Sequence, residues 1–402
     1  MWIRRIVENR NAVLLVAGQV ISKAGDQLAN VAFLWLITTL TGSAAALGSV
    51  MTALILPNIV FRLIGGVITD RFNQKYIMIV ADILRSVMVF LLAILALNGA
   101  LNMGYFLIIA AMLGVGAALF DPAYRAVVPR IVEKDQLLRF NSTLQSANQG
   151  VGILVPAGAG LVIAAIGIPA ALGLNGVSFL LSALSILLIS SPLLGKRTHQ
   201  AQSVVTEWKE GFRIVFANPF MRLIFLAIGL INFADALVVI YPVHIKDVLG
   251  LGVAWYGFFN AAVMAGLFST NVFYMWIGKR IRTSDGLLFG ALAQGLGLLV
   301  FGLFPNPFVG LCAFYLFGVG MAGFGTATVT LLQQEVEQAF LGRVFSLYGI
   351  FALSLMPFGY FVAGITANRV GTGAVIVSAG VMMIATAFLL LRSHPIGELR
   401  RA

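Results

Sequence analysis

Charged residues are scarce in this sequence. Of its 402 residues, 26 are Lys or Arg and 15 are Asp or Glu, so that only 10% are charged. Soluble domains contain about 25% charged residues. Hydrophobic residues make up 60% of the chain, and its mean hydropathy is +0.98. This composition excludes a water-soluble fold and predicts a protein that is surrounded mainly by lipid.

Cysteine and histidine are also nearly absent. A single cysteine, Cys312, excludes an internal disulfide and a cysteine-based metal site, and we expect it to be a small buried apolar residue. His199, His244 and His394 are too scattered for a metal site. The phosphate-binding pattern GxxxxGKS/T is missing as well. We therefore expect no metal, no cofactor and no enzymatic activity.

What the sequence does contain is a series of apolar runs of about 20 residues, the length of a membrane-spanning helix. Strands of a membrane barrel would instead alternate over about 10 residues. The pattern predicts an all-α membrane protein with twelve transmembrane helices. Their expected spans are residues 13–39, 44–69, 76–97, 104–127, 137–165, 169–190, 220–245, 252–276, 284–303, 307–332, 341–366 and 371–391.

Basic residues lie on one side of these predicted spans. They precede the first span, follow the second, fourth, eighth, tenth and last, and fill the central gap, whereas the other side has only Lys246 and Arg369. The excess of Lys and Arg marks the cytoplasmic side. Both termini are therefore expected in the cytoplasm. The net charge of +11 is explained by this asymmetry, which faces anionic lipid, and requires no nucleic acid.

The central gap, residues 191–219, is long and polar. Within it Val205, Trp208, Phe212 and Val215 recur at helical spacing, which predicts an amphipathic helix on the inner membrane surface. The expected organisation is a six-helix bundle over 1–190, a cytoplasmic linker over 191–219 and a second six-helix bundle over 220–402.

The two halves resemble each other. Residues 114–142 and 318–346 align without gaps, and Gly114, Gly116 and Phe120 match Gly318, Gly320 and Phe324. We therefore predict two six-helix repeats with parallel orientation. Such repeats are used for alternating access to a site between the halves.

Residues 65–75, GGVITDRFNQK, resemble the inner-loop signature of the major facilitator superfamily. The resemblance covers nearly the whole chain and is strongest to the branch of macrolide-efflux proteins and siderophore exporters. It implies the major facilitator fold and a conformational latch at this loop, to which the fourth helix contributes an acid; the alternative is that the basic residues only fix topology. The implied latch residues are Gly66, Asp70, Arg71, Lys75 and Asp121.

The stretch VGILVPAGAG on the fifth span resembles the antiporter signature of the same superfamily. Its matching residues are Gly152, Pro156, Gly158 and Gly160, while Val155 stands where the family has Gly. The resemblance implies antiport.

The first span contains the polar stretch SKAGDQLAN, residues 22–30. Lys23, Asp26, Gln27 and Asn30 share one helical face. Because a charge at mid-membrane costs at least about 2.5–3.5 kcal/mol, we expect these side chains to face a partner or water. Asp235 occupies the matching place in the seventh span.

Asp26 and Asp235 are thus candidates for proton coupling. Asp235 is the better candidate for reversible protonation, because Asn232 stands where Lys23 stands in the first half. The alternatives are a static Lys23–Asp26 pair and a hydrogen-bonded Asp235.

A second polar stripe runs along the fifth span itself. We expect it to line the aqueous cavity; the alternative is that its side chains form hydrogen bonds between helices. It consists of Asn141, Gln145, Asn148 and Gln149. Asp82 and Arg85, three residues apart on the third span, are interpreted as a structural pair or part of the latch near the inner surface.

Together these features predict a monomeric transporter of the bacterial cytoplasmic membrane that exports amphiphilic small molecules, either drug-like compounds or siderophores, in exchange for protons. Its partners would be substrate, protons and membrane lipids. The alternatives are a lipid or lysolipid flippase or a uniporter of the same fold, and a membrane receptor or scaffold whose buried charges do not move.

Overall fold

The computed structural model describes residues 9–132, 137–190, 212–213, 215–277, 282–337 and 340–392. Within these ranges, every regular element is a helix. The chain divides into two compact units. Unit 1 comprises residues 1–41, 49–199 and 253–257, and unit 2 comprises 42–48, 200–252 and 258–402. The predicted amphipathic helix in the central linker lies mostly outside the described residues.

Unit 1 is built on six long helices. They are α1 (Arg10–Thr41), α2 (Ala44–Arg71), α3 (Gln74–Leu97), α4 (Met103–Ile131), α5 (Leu137–Ile166) and α6 (Ile168–Leu187). Two of them begin at asparagine caps: the side chains of Asn73 and Asn102 accept hydrogen bonds from backbone N–H groups of the first turns of α3 and α4.

Helix α6 is central to unit 1, where it packs against both α1 and α3. Helix α3 also packs on α4, and α1 on α5. Glycines allow α1 to approach α6 closely. A Cβ atom at Gly25 would lie 2.1 Å from Ser178 Oγ and 2.5 Å from Asn175 Oδ1. Any larger residue at position 25 would therefore push the two helices apart.

Unit 2 repeats this plan. Its helices are α7 (Pro219–Leu237), α8 (Val253–Ile277), α9 (Thr283–Leu303), α10 (Pro307–Glu335), α11 (Leu341–Ser354), α12 (Met356–Val370) and α13 (Thr372–Arg392). Helix α9 packs on α10 and α13, as α3 packs on α4 and α6, and α7 packs on α12 and α13, as α1 packs on α5 and α6.

Two helices depart from the expected continuous spans. After Leu237, α7 continues as a 3₁₀ turn (Val238–Ile240), a short α turn (Tyr241–Val243) and a π turn (His244–Val248). The predicted span 341–366 is interrupted at Leu355, because Pro357 in the first turn of α12 cannot continue a helical ladder. Cys312 is exposed on α10, so the expectation that it would be buried was wrong.

Eleven of the described helical segments are long and apolar enough to cross a membrane. Helix α1, which contains the SKAGDQLAN stretch, is the twelfth long helix. The protein is therefore a multi-pass, all-helical membrane protein.

Candidate functional site

The polar centre of unit 1 is formed by side chains from four helices. On α3, Asp82 and Arg85 lie one turn apart, and Nη2 of Arg85 donates a hydrogen bond to Oδ1 of Asp82. The Asp82 side chain is fully buried and that of Arg85 is 9% exposed. A buried carboxylate needs such a partner, because an isolated buried charge is very costly.

Two aromatic rings hold the guanidinium of Arg85. Its carbon atom Cζ lies 4.8 Å from the ring centroid of Phe120 on α4 and 4.3 Å from that of Phe179 on α6. Both distances are within the range of cation–π attraction. The aliphatic part of the side chain passes Gly116, where a Cβ atom would lie 2.6 Å from Cγ of Arg85.

Asp26 on α1 approaches the same guanidinium from the other side. Its Oδ2 lies 4.0 Å from Nη1 of Arg85, and its side chain is 39% exposed. Arg85 is thus shared by two carboxylates, of which Asp82 is enclosed in protein and Asp26 borders open space. Lys23 and Asp121 also act electrostatically on Asp26.

Two cavities of unit 1 meet at Asp26 and Arg85. Cavity A, of about 330 Å³, has mainly apolar walls and lies among α1, α2, α3, α4 and α6; its polar lining consists of Asp26, Gln27, Asn30, Asn58, Arg85 and Asn175. Cavity B, of about 850 Å³, lies among α1, α3, α4 and α5; its charged or hydrogen-bonding lining includes Lys23, Asp26, Arg85, Asp121, Tyr124, Arg125, Gln145 and Asn148.

The two cavities lie on opposite sides of the ion pair along the helices. On α1, cavity A is lined from Asp26 onward to Phe33, and cavity B from Gln19 up to Asp26. On α4, which runs in the opposite direction, cavity A is lined by residues 113–117 and cavity B by residues 120–129. Asp26 and Arg85 therefore form a partition between them.

The predicted polar stretch of α1 is divided by this partition. Gln27 and Asn30 line cavity A, and Lys23 lines cavity B. Of the second predicted stripe, Gln145 and Asn148 line cavity B. Gln149 is exposed on α5 and the side chain of Asn141 lies outside the described residues.

In the predicted α5 signature, a Cβ atom at Gly152 would lie 3.4 Å from Nε2 of Gln27, and Pro156 is inside the helix.

The predicted latch is described only in part. The side chains of Gly66, Asp70 and Arg71 lie outside the described residues. Lys75 is buried at the start of α3, and its Nζ donates to the carbonyl oxygens of Leu187, at 2.8 Å, and Ile189, at 2.6 Å. Lys75 thereby satisfies two carbonyl groups at the end of α6.

In unit 2, Asp235 lies on α7 and is partly buried. Its Oδ1 is buried and has no hydrogen-bond partner among the described residues. Asn232, one turn earlier, donates to the backbone oxygen of Ile228 at 2.8 Å. A buried acceptor of this kind requires water, a ligand or a proton.

Several residues of the polar centre were not recognised from the sequence as functional. Asp82 and Arg85 form the structural pair that the sequence predicted, but the expected place near the inner surface was wrong, because Arg85 is beside Asp26 in the middle of α1. Asn58, Asn175, Phe120 and Phe179 were not singled out, since a lone amide or an aromatic ring in an apolar helix resembles ordinary packing. Within the described part of the chain, no cluster of His, Cys, Asp and Glu is able to hold a metal ion.

The chain resembles known proteins in sequence. It is 26% identical over 390 residues to macrolide efflux protein A of Streptococcus pyogenes, with 93% of each chain covered. It is 25% identical over 315 residues to the enterobactin exporter EntS of Escherichia coli O1:K1, with 78% of this chain and 71% of that protein covered.

Solved structures share the fold at low sequence identity. A bacterial homologue of the iron transporter ferroportin, in an inward-facing state, superposes with a TM-score of 0.76 at 15% identity and covers 96% of this chain and 99% of its own. The nucleoside transporter NupG gives a TM-score of 0.74 at 13% identity, with 95% and 98% covered. The family model of the Major Facilitator Superfamily matches residues 15–359, and the chain therefore belongs to this superfamily of transport proteins and is not an enzyme.

Proposed function

We propose that this protein exports amphiphilic small molecules, such as drug-like compounds or siderophores, by alternating access coupled to proton antiport. The observation that carries the proposal is the position of Asp26, whose carboxylate borders both cavities and lies 4.0 Å from Nη1 of Arg85. The relatives named as a macrolide efflux protein and an enterobactin exporter support export as the direction of transport.

The proposed coupling is a competition at Asp26. As a carboxylate, Asp26 attracts Arg85 and accepts hydrogen bonds from a substrate. Once protonated it carries no charge, and the guanidinium then interacts with Asp82 alone. A proton that moves down the membrane potential releases about 2.3 kcal/mol per 100 mV, which drives substrate in the other direction if both cannot occupy Asp26 together.

Asp235 is the second proposed proton site. It is the repeat counterpart of Asp26, and Asn232 replaces the neighbouring lysine of the first repeat. The unpartnered Oδ1 supports this role, because a carboxylic acid with one bound proton satisfies such a site better than a bare carboxylate.

The linings of the cavities support an amphiphilic substrate. Apolar side chains such as Phe33, Leu92 and Phe179 cover most of cavity A, and four amides line it together with Asp26 and Arg85. Mainly apolar walls with a few polar groups are typical of small-molecule sites.

The remaining predictions complete the proposal. We infer a monomer in the bacterial cytoplasmic membrane with both termini in the cytoplasm, in contact with membrane lipids. The latch of Gly66, Asp70, Arg71, Lys75 and Asp121 and the α5 signature of Gly152, Pro156, Gly158 and Gly160 stay predictions.

Reconstitution in vesicles with a trapped pH dye tests the proposal. A macrolide antibiotic, a catecholate siderophore and ethidium are added in turn, and proton movement is recorded. We expect substrate-triggered proton movement that is lost in Asp26→Asn or Asp235→Asn. The matched control is Asp247→Asn, because Asp247 is 44% exposed and pairs only loosely with Lys246, at 3.7 Å.

Two results would contradict the proposal. Full gradient-driven efflux in both variants would show that neither acid couples transport to protons. Transport of a compound or of labelled lipid without any proton movement would instead identify a uniporter or a flippase.

A further inference from the structure

We propose that unit 2 binds one phospholipid with a zwitterionic head group, which carries both a phosphate and an ammonium, in a cleft among α8, α9 and α10. The acyl chains lie in an apolar cavity along α9, and the head group lies at the end of that cavity beside Arg282 and Asp285. The site is distinct from the polar centre of unit 1 and does not depend on the proposed antiport.

The apolar part of the site is cavity C, of about 790 Å³. Its lining residues fall within 269–274 of α8, 285–296 of α9 and 315–323 of α10, and most of them are apolar. Phe273 and Phe289, which both line it, are exposed. Because exposed apolar side chains of a membrane protein face lipid, cavity C opens sideways toward the acyl chains of the bilayer.

The length of cavity C matches one leaflet of the bilayer. On α9 its lining extends from Asp285 to Leu296, 11 residues further along the chain. At 1.5 Å per residue this distance is about 17 Å. The hydrocarbon core of a bilayer is about 30 Å thick, so the cavity reaches from the start of α9 to about the middle of the membrane. A lipid of the leaflet beside the α8–α9 connection has acyl chains that fit this length.

The polar part of the site is cavity D, of about 220 Å³, which continues cavity C toward the start of α9. Its polar lining consists of Tyr274, Arg282, Thr283, Thr326 and Thr330. Tyr274 and Gly286 line both cavities, which therefore meet at these two residues. A Cβ atom at Gly286 would lie 2.9 Å from the hydroxyl oxygen of Tyr274, so the glycine leaves room for this hydroxyl at the junction. There it donates to an ester carbonyl of the lipid.

Two opposite charges select the head group. Arg282 occupies the N-cap position of α9, and Asp285 lies in the first turn. Residues three apart on a helix are neighbours, and a phosphate and an ammonium that are joined by two carbon atoms match such a pair of charges. Arg282 binds the phosphate, as guanidinium groups commonly do, and Asp285 accepts hydrogen bonds from the ammonium. A head group with a phosphate alone is repelled by Asp285.

The test measures the phospholipid that is bound to the purified 402-residue chain. The protein is delipidated in detergent and titrated with dioleoylphosphatidylethanolamine, which has both charges, or with dioleoylphosphatidylglycerol, which lacks the ammonium. Bound lipid is counted by native mass spectrometry, and the midpoint of thermal unfolding is recorded at each concentration. We expect one tightly bound phosphatidylethanolamine, weaker binding of phosphatidylglycerol, and a midpoint that rises as the site fills, because a ligand of the folded state stabilises it.

Two site variants have matched controls. Ala293→Phe fills cavity C, and its control Ala385→Phe adds the same ring to an exposed alanine of α13. Arg282→Gln removes the cation of cavity D, and its control Arg222→Gln removes an exposed arginine from the first turn of α7. Neither control residue lines cavity C or D. We expect each site variant to weaken phosphatidylethanolamine binding at least tenfold, each control to leave it unchanged, and Asp285→Asn to make the two lipids bind equally.

Several results would overturn the site. They are an equal loss of binding in a site variant and its control, equal affinity of the unchanged protein for the two lipids, and no binding of either lipid. Loss of ethidium binding in Ala293→Phe while lipid binding persists would instead assign the cleft to a substrate. If Ala293→Phe does not fold, Arg282→Gln and Asp285→Asn decide the question, because they change polar groups at the start of α9 and leave the apolar packing intact. None of these results affects the antiport, which is measured separately with the pH dye.

Discussion

Gly116 on α4 leaves the space through which the side chain of Arg85 reaches the polar centre of unit 1. A Cβ atom at position 116 would lie 2.6 Å from Cγ and 3.2 Å from Cδ of Arg85. The repeat counterpart, Gly320 on α10, is equally close to Gln294 on α9, but there a Cβ would also lie 2.4 Å from the backbone nitrogen. The same gap thus admits an arginine in one unit and a glutamine in the other.

The first prediction separates the two glycines. A Cβ atom at position 116 would displace Arg85, which also pairs with the buried Asp82. We therefore expect Gly116→Ala to reduce substrate-triggered proton movement at least tenfold and to lower the midpoint of thermal unfolding as well. A Cβ atom at position 320 would meet the backbone nitrogen of Gln294. Gly320→Ala is therefore expected to lower the free energy of unfolding by about 1–3 kcal/mol through overpacking. Unfolding in detergent and transport in vesicles are measured for both variants. An equal loss of proton movement per folded molecule in Gly320→Ala, or a Gly116→Ala variant with normal coupling, would refute this assignment.

The second prediction concerns the buried ion pair. Arg85→Gln leaves Asp82 buried without its cation, which is expected to cost about 3–5 kcal/mol of stability. The double variant Asp82→Ala and Arg85→Gln reproduces Ala291 and Gln294, which occupy these positions in unit 2. We expect it to regain most of the lost stability, because no uncompensated charge remains.

The same double variant is expected to stay uncoupled, since Asp26 has lost the guanidinium. Thermal unfolding therefore recovers while proton movement does not. If the double variant regained proton movement as well, the ion pair would have a structural role only.

The third prediction distinguishes a cap from a latch at Lys75. Lys75→Met removes two hydrogen bonds to carbonyl oxygens at the end of α6, each worth about 1.5–3 kcal/mol when the donor is charged. If Lys75 acts only as a cap, the amount of folded protein falls and transport per folded molecule is unchanged. A changed rate per folded molecule in Lys75→Met would support the latch. The control is Arg10→Met, which removes an exposed basic residue at the start of α1 that lines neither cavity.

The helices could be predicted closely from the sequence, because the apolar runs and their asparagine caps are local signals. The predicted span 307–332, for example, corresponds to α10, Pro307–Glu335, which begins after Asn306 accepts hydrogen bonds from two backbone N–H groups. The break at Leu355 was missed, although Pro357 marks it. The residues on both sides of the break are apolar, so the hydropathy pattern continues where the backbone hydrogen bonds of the helix are interrupted.

The polar centre was harder to predict. Lys23, Asp26, Gln27 and Asn30 share a face, and this face is visible in the sequence. Their division between two cavities is not, because it depends on where Arg85 of α3 meets Asp26 of α1. Depth and rotation of one helix against another arise from close glycine contacts such as Gly116 with Arg85, which no periodicity in a single helix reveals.

The two repeats share one structural feature but differ in the side chain that occupies it. Each copy has kept a glycine gap between its third and fourth helices, at Gly116 and Gly320, yet the side chain that fills the gap is charged in one copy and neutral in the other. The glycine gap is therefore common to both repeats, whereas the side chain that fills it is not. A transporter built in this way can evolve new coupling chemistry in one copy while the other preserves the architecture that both share.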